Sequence, residues 1–103
     1  MSASLRVIHA DNQILIFLHR TLIYTKSTDY DPMFEDVVDF TSLLITGING
    51  LILVGLNHGG PYNFEVQVDV EGVTTRYGTG GPQAPPPPGF GVVWSESIVI
   101  PWP

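Results

Sequence analysis

Residues 62–71 alternate between apolar and polar side chains without a single exception. Aromatic and β-branched residues occupy the even positions from 62 to 70, and Asn, Glu, Gln and Asp occupy the odd positions from 63 to 71. Successive side chains of a β-strand point to opposite faces, whereas a helix repeats every 3.6 residues. The stretch therefore predicts an antiparallel strand with one face on a core and the other in water.

Two further stretches, residues 14–18 and 51–56, are apolar almost throughout. Both are short and rich in residues that favour strands over helices. Apolar side chains on both faces have two explanations. The first, which we favour, is a central strand covered on both sides, and the second is a strand that uses one face for contact between subunits.

Weaker strand patterns accompany these three, at residues 5–10, 21–26, 35–40, 73–77 and 92–100. Tight turns are expected at residues 19–20 and 71–72, with a single helical turn near residues 41–44. Residues 78–91 hold five of the nine prolines and predict a Gly/Pro-rich surface loop. About eight short strands within 103 residues predict one domain, residues 1–103, with an all-β fold: an antiparallel two-sheet β-sandwich.

The charge balance excludes several classes of partner. Ten acidic residues face four basic ones, for a net charge of −6, and the basic residues are scattered along the chain. Nucleic acids and anionic lipid surfaces are bound by clustered Lys and Arg, so neither is an expected partner. No segment is apolar over the length that crosses a bilayer, which argues against membrane insertion. Because only 14% of residues are charged, the surface suits a neutral polar ligand.

Catalytic and metal-binding patterns are weak, so we predict that the chain is not an enzyme. There is no cysteine, the three histidines have no motif partner, and no Gly-x-Ser-x-Gly turn occurs. The acidic residues Asp29, Asp31 and Asp36 fall within one loop region. They predict either a solvated acidic loop, which we favour, or a calcium site, since calcium prefers several oxygen ligands.

The residues that resemble a binding surface are polar and aromatic. Sugars present apolar C–H faces, which stack on aromatic rings, and hydroxyl groups, which bond to amides, carboxylates and guanidinium groups. The candidate carbohydrate-binding residues are Asp11, Asn12, Tyr30, Asn57, His58, Arg76 and Trp94. For Trp94, a place in the core of the sandwich is an equally good interpretation.

Three segments in order resemble the galactose-binding-like β-sandwich modules. Residues 10–18 resemble their opening strand, residues 39–44 followed by 47–49 resemble an Asp, apolar, Thr, x, Leu, Leu step before a Gly-x-Asn turn, and residues 57–61 resemble an Asn, x, Gly, Gly, Pro turn. The chain departs from these modules at residues 19–21, where His-Arg-Thr replaces the usual Asn-Gly turn. In outline the chain is also similar to small slime-mould haemagglutinins and to galectins.

This resemblance implies a galactose-binding-like or lectin-like fold and a lectin that binds neutral glycans or glycoproteins. A single shallow site binds weakly, so agglutination would require several sites joined in a homo-oligomer. The alternative is a non-enzymatic protein-interaction or adhesion module that uses a sheet face or the proline-rich loop. The first residues lack the pattern of a signal peptide, so we expect a cytoplasmic protein or one exported by another route.

Overall fold

The computed structural model describes residues 1–28, 33–85 and 90–103. Seven strands form one antiparallel, hydrogen-bonded sheet, which confirms the all-β prediction. The strands are β1 (Ala3–Leu18), β2 (Thr21–Thr28), β3 (Asp36–Asp39), β4 (Gly47–Asn57), β5 (Asn63–Val70), β6 (Val73–Gly78) and β7 (Gly91–Trp102). The expected helical turn is a 3₁₀ turn at Thr41–Leu43. Among the described residues, none forms a helix long and apolar enough to cross a membrane.

Strand β1 organises the sheet. The sequence predicts two short strands here, but the structure has one strand of 16 residues. Its first half pairs with β3 and β5, and its second half pairs with β2 and β4. The pairing shifts register between Asp11 and Asn12, so the predicted break between two strands is an irregular point within one strand.

The other strands follow the same division. β6 pairs with β5 and β7 pairs with β4, so the sheet has a first half (β3, the start of β1, β5 and β6) and a second half (β2, the end of β1, β4 and β7). The segments that join the halves lie beside the irregular point of β1. We call this region the bend and define it by residues 10–12, 58–62 and 79–85 of the described chain.

The core lies inside the curled sheet. Side chains from both halves that are fully buried include Leu5, Val7, Ile14, Ile16, Leu51, Leu53, Phe64 and Val66. The Phe64 ring, from the first half, lies over Gly55 in the second half. A β-carbon on Gly55 would come within 2.6 Å of that ring. The glycine in this apolar strand is therefore explained by packing, because only a residue without a side chain leaves room for the ring.

Two tight turns set the register of the hairpins. His19 and Arg20 have φ angles of 51° and 69°, and Glu71 and Gly72 have φ angles of 53° and 80°. Positive φ at both central residues is the geometry of the two-residue turn that matches the twist of a hairpin. Both turns lie where the sequence predicts them.

The two outer faces of the curled sheet differ in chemistry. The first half presents polar and charged side chains, among them Arg6, Gln67 and Asp69, and we call this side the polar face. The second half presents side chains that alternate with the buried residues of β1 and β4, such as Phe17 and Ile52. Ile52 is 39% exposed, and Leu15, Phe17 and Val54 are half-buried. The described residues therefore leave this side of the apolar strands partly open, whereas the favoured interpretation expected coverage on both sides.

Candidate functional site

Three of the predicted site residues are joined at the bend. The Asn12 side-chain Nδ2 donates a hydrogen bond to Asp11 Oδ1 at 2.7 Å. The backbone N–H of His58 donates to Asn12 Oδ1 at 2.8 Å. The irregular point of β1 and the turn after β4 are therefore held against each other by the Asn12 amide, which uses both its donor and its acceptor.

Asn57, another predicted residue, is adjacent to this cluster but fully buried. Its Nδ2 donates to the backbone carbonyl of Gly60 at 2.9 Å. This bond closes the turn that carries His58, Gly59 and Gly60, where both glycines adopt positive φ. Because its side chain has no exposed surface, Asn57 shapes the turn and is not placed to touch a ligand directly.

A concave surface lies on the polar face beside the bend, with a volume of about 410 Å³. We call it the polar hollow. It is lined by His9, Asn63, Phe64, Glu65, Arg76, Gly78, Gly80 and Gly81. Asn63 connects it to the bend cluster, because Asn63 is the ladder partner of Asp11. The predicted residue Arg76 therefore lies on the same side of the molecule as Asp11, although 65 positions separate them in sequence.

The wall of the hollow is held by hydrogen bonds to β5. The Thr79 hydroxyl lies 3.1 Å from Asn63 Oδ1 and 2.8 Å from the Gly81 carbonyl oxygen, and its single proton can be donated to either acceptor. Backbone bonds in both directions join Gln83 to Tyr62, at 2.8 and 3.0 Å. The start of the Gly/Pro-rich loop is thus fixed to the sheet, while Pro86, Pro87 and Pro88 lie outside the described residues.

The charges in the hollow nearly balance. Arg76 Nε lies 3.7 Å from Glu65 Oε2, on the neighbouring strand. This separation is longer than the roughly 2.8 Å of a tight charge-assisted hydrogen bond. The guanidinium and the carboxylate therefore keep donors and acceptors for a third group, and their opposite charges suit a neutral ligand better than an ion.

Trp94 does not join this group. Its ring stacks on Phe64 at a centroid distance of 5.5 Å and an interplanar angle of 7°. Trp94 packs against the core and is half-buried, which agrees with the core interpretation of this residue. Tyr30, the other predicted aromatic contact, lies outside the described residues.

Three polar residues that line the hollow, His9, Asn63 and Glu65, are not among the site residues predicted from the sequence. The alternation of residues 62–71 places Asn63 and Glu65 on the face away from the apolar side chains. This pattern could have identified both residues as part of a polar surface. Asn63 is nevertheless 5% exposed, because the segment after β6 covers it. No local sequence pattern identifies His9 as a site residue, because its position opposite Glu65 depends on the pairing of β1 with β5.

Of the three residues considered for calcium, the structure describes one. Asp36 Oδ2 accepts hydrogen bonds from the Tyr24 hydroxyl at 2.6 Å and from Lys26 Nζ at 3.3 Å. Asp29 and Asp31 lie outside the described residues. Within residues 1–28, 33–85 and 90–103, no three His, Asp or Glu side chains are grouped as metal ligands.

These contacts shift two ionisation equilibria. The hydrogen bond from Tyr24 is the main cause that holds the pKa of the Asp36 carboxyl below its ordinary value, and Lys26 adds to it against the opposing effect of burial. Burial, followed by the bond to Asp36, raises the pKa of the Tyr24 phenol. Lys26 is further held over the Phe34 ring, with Nζ 4.6 Å from its centroid.

The Asp36 contacts predict a small acid-dependent loss of stability. A carboxyl whose pKa is lower in the folded protein than in the unfolded chain stabilises the fold at pH values above the unfolded-chain pKa of about 3.9. This stabilisation is lost as the pH falls through the pKa of the folded protein. We expect Asp36→Asn to lower the free energy of unfolding at pH 7 by less than about 1 kcal/mol, because the pair is exposed.

Urea titrations at pH 7 and pH 3 measure this effect. The variant and the wild type should differ less at the lower pH, where the wild-type carboxylate also becomes protonated. Glu71→Gln, at an exposed turn, is the control and should change little at either pH. A difference between Asp36→Asn and the wild type that grows on acidification would contradict the assignment.

Comparison with known proteins does not place this chain in a family. It matches no protein-family model, no curated protein and no solved structure.

Proposed function

We propose that this chain is a non-enzymatic carbohydrate-binding protein, and that neutral glycans bind in the polar hollow and along the adjoining bend. The observation that carries the proposal is the lining of the hollow, where Glu65, Arg76 and His9 lie on three neighbouring strands. A carboxylate only accepts, a guanidinium only donates, and an imidazole does both. Sugar hydroxyls need both kinds of partner at short spacing.

Rigidity supports the same proposal. Groups carried by strands keep their positions better than groups on long loops, so less ordering is needed when a ligand binds. The bonds of Thr79 to Asn63 and of Asn12 to His58 fix the two sides of the region. A shallow preformed surface with mixed donors and acceptors is the arrangement that recognises a hydroxyl pattern.

The lining of the hollow also favours binding over hydrolysis. Glycoside hydrolysis uses a pair of carboxyl groups on either side of the scissile bond. Among the described residues that line the hollow, Glu65 is the one carboxylate, and it faces Arg76. One carboxylate beside a guanidinium holds a hydroxyl group but does not supply the second catalytic carboxylate.

We also propose that the curled sheet is a form of the galactose-binding-like sandwich in which β1 belongs to both layers. The segments that resemble those modules support this. Residues 57–61 form the turn at the bend, and Asp39 Oδ1 accepts the backbone N–H of Thr41 at 3.0 Å, just before the 3₁₀ turn. On this view the first and second halves of the sheet are the two layers, and eight predicted strands become seven because β1 is continuous.

Binding to a glycan array, followed by calorimetry with the strongest ligand, tests the proposed function. We expect Arg76→Ala to weaken binding by roughly 10- to 100-fold, because hydrogen bonds to a charged group contribute about 1.5–3 kcal/mol. Glu65→Gln should weaken binding by a smaller factor, since the amide keeps one acceptor.

Arg20→Ala is the matched control. Arg20 is an exposed arginine at the β1–β2 turn, at the end of β1 remote from the bend, so the same change of side chain there should leave the affinity unaltered. Wild-type protein that binds no saccharide would refute the proposal. Equal losses in Arg76→Ala and Arg20→Ala would refute the site.

A further inference from the structure

The outer side of the second half of the sheet carries no charge. Its centre is apolar, and uncharged polar residues such as Gln13, Thr25 and Ser97 surround that centre. We call this side the uncharged face. Its centre is formed by Leu15, Phe17, Leu22, Ile52 and Val54, which are neighbours across three paired strands. Ser95, Ser97 and Val99 extend it on β7. None of the described ladder positions on this face holds Asp, Glu, Lys or Arg.

These side chains are not needed for the core. Leu22 is 46% exposed and Val99 is 66% exposed. Leu15 and Phe17 alternate with the fully buried Ile14 and Ile16, so they point away from the interior. A contiguous apolar surface of this kind on a small protein marks an interaction site, whereas apolar residues scattered singly do not.

We propose that the uncharged face is the interface of a homodimer, in which two copies of this chain pack their second halves face to face. A two-fold contact places the same surface on both partners, so the surface must be compatible with itself. The chain has a net charge of −6, which opposes self-association through most of its surface. The uncharged face is the region where two copies meet without opposing like charges.

The size of the face fits this occupant. Four strands spaced about 4.8 Å apart, each contributing about nine residues at about 3.3 Å, cover roughly 600 Å² in projection. The relief of the side chains raises the accessible area toward the roughly 800 Å² that each partner buries in a standard interface. A charged partner would instead leave its ionic groups desolvated against aliphatic side chains, which is unfavourable.

The dimer would give the proposed function a second site. The polar hollow lies on the outer side of the first half, so pairing through the second halves leaves both hollows exposed on opposite sides of the assembly. This consequence rests on the proposed carbohydrate binding, and the dimer itself does not. Two sites that face apart are the arrangement that cross-links glycans on separate surfaces.

Sedimentation velocity of the full chain tests the proposal. We expect wild-type protein to sediment at twice the 11.3 kDa chain mass at concentrations of about 100 µM, since interfaces of this size commonly bind in the micromolar range or tighter. Ile52→Lys places a charge at the centre of the face and should weaken self-association at least about 100-fold. Val99→Lys also introduces a charge on this face, at a more exposed position. If circular dichroism shows that Ile52→Lys is unfolded, the association state of Val99→Lys tests the proposal instead.

Val37→Lys is the control. Val37 is 58% exposed and lies on β3, opposite Arg6 on the polar face of the other half of the sheet, so this variant should remain a dimer. Wild-type protein that stays monomeric up to about 1 mM, where association would be worth only about 4 kcal/mol, would overturn the proposal. So would folded lysine variants at Ile52 or Val99 that remain dimeric, or a Val37→Lys variant that dissociates. A monomeric variant that still binds a glycan at one site separates this result from the proposed function.

Discussion

Replacing Phe64 by alanine is expected to lower the free energy of unfolding by about 3–5 kcal/mol, the largest effect of any single change considered for this protein. Phe64 is fully buried. Its ring lies over Gly55 and stacks on Trp94 at 5.5 Å, so it connects the two halves of the sheet. Its removal leaves a cavity that a glycine on one side cannot fill.

Thermal and urea unfolding followed by circular dichroism measure this loss. The midpoint should fall by roughly 15 °C or more, since 1 kcal/mol corresponds to about 4–8 °C in a domain of this size. Phe90→Ala is the matched control, because Phe90 is 66% exposed and its truncation should change stability by no more than about 0.5 kcal/mol. A loss below about 1 kcal/mol in Phe64→Ala would show that Phe64 does not join the halves.

Replacing Asn49 by aspartate is expected to cost about 3 kcal/mol or more at neutral pH. The fully buried Asn49 amide donates to the carbonyls of Ile45 at 2.9 Å and Ile100 at 3.1 Å. Its Oδ1 accepts the backbone N–H of Ile45 at 2.9 Å and lies 2.6 Å from His19 Nε2. Aspartate has nearly the same shape, but it exchanges the NH₂ donors for a charged acceptor that faces carbonyl oxygens.

The pH dependence distinguishes this mechanism from a simple loss of packing. A buried carboxyl that faces carbonyl oxygens has a raised pKa in the folded protein. The variant's loss of free energy of unfolding should therefore develop as the pH rises above the unfolded-chain pKa of about 3.9. Unfolding curves of Asn49→Asp and wild type should therefore converge toward pH 4 and diverge toward pH 8. Gln67→Glu, the same exchange on the polar face, should show no comparable defect, and a pH-independent loss in Asn49→Asp would contradict the account.

Much of the local structure was predictable from sequence because it depends on neighbours along the chain. The alternation in residues 62–71 specifies which side of β5 meets the core, and the positive φ at Glu71 and Gly72 follows from the need to close a two-residue turn. The same local logic placed Asn57 and His58 in an Asn, x, Gly, Gly, Pro turn. It did not show that Asn57 is fully buried, since burial depends on what packs over the turn.

The candidate site is a product of strand pairing. Arg76 and His9 lie near one another because β5 pairs with β1 on one side and with β6 on the other, and no local pattern specifies those partners. Whether Trp94 lies in the core or in a binding site also depends on the tertiary structure. Its ring stacks on Phe64, and the two residues lie on β7 and β5, which are not hydrogen-bonded neighbours in the sheet.

By itself the sequence determined the strand-rich fold, the tight turns and the shortage of charge, since periodicity, backbone conformation and composition act over a few residues. Only the tertiary structure decided that β1 runs unbroken through both halves and that the apolar strands leave one side open to solvent. The physical reason is that a strand pairs and buries its faces against distant segments, so the pattern in residues 14–18 is the same whether its second face is covered by the chain or left for a partner.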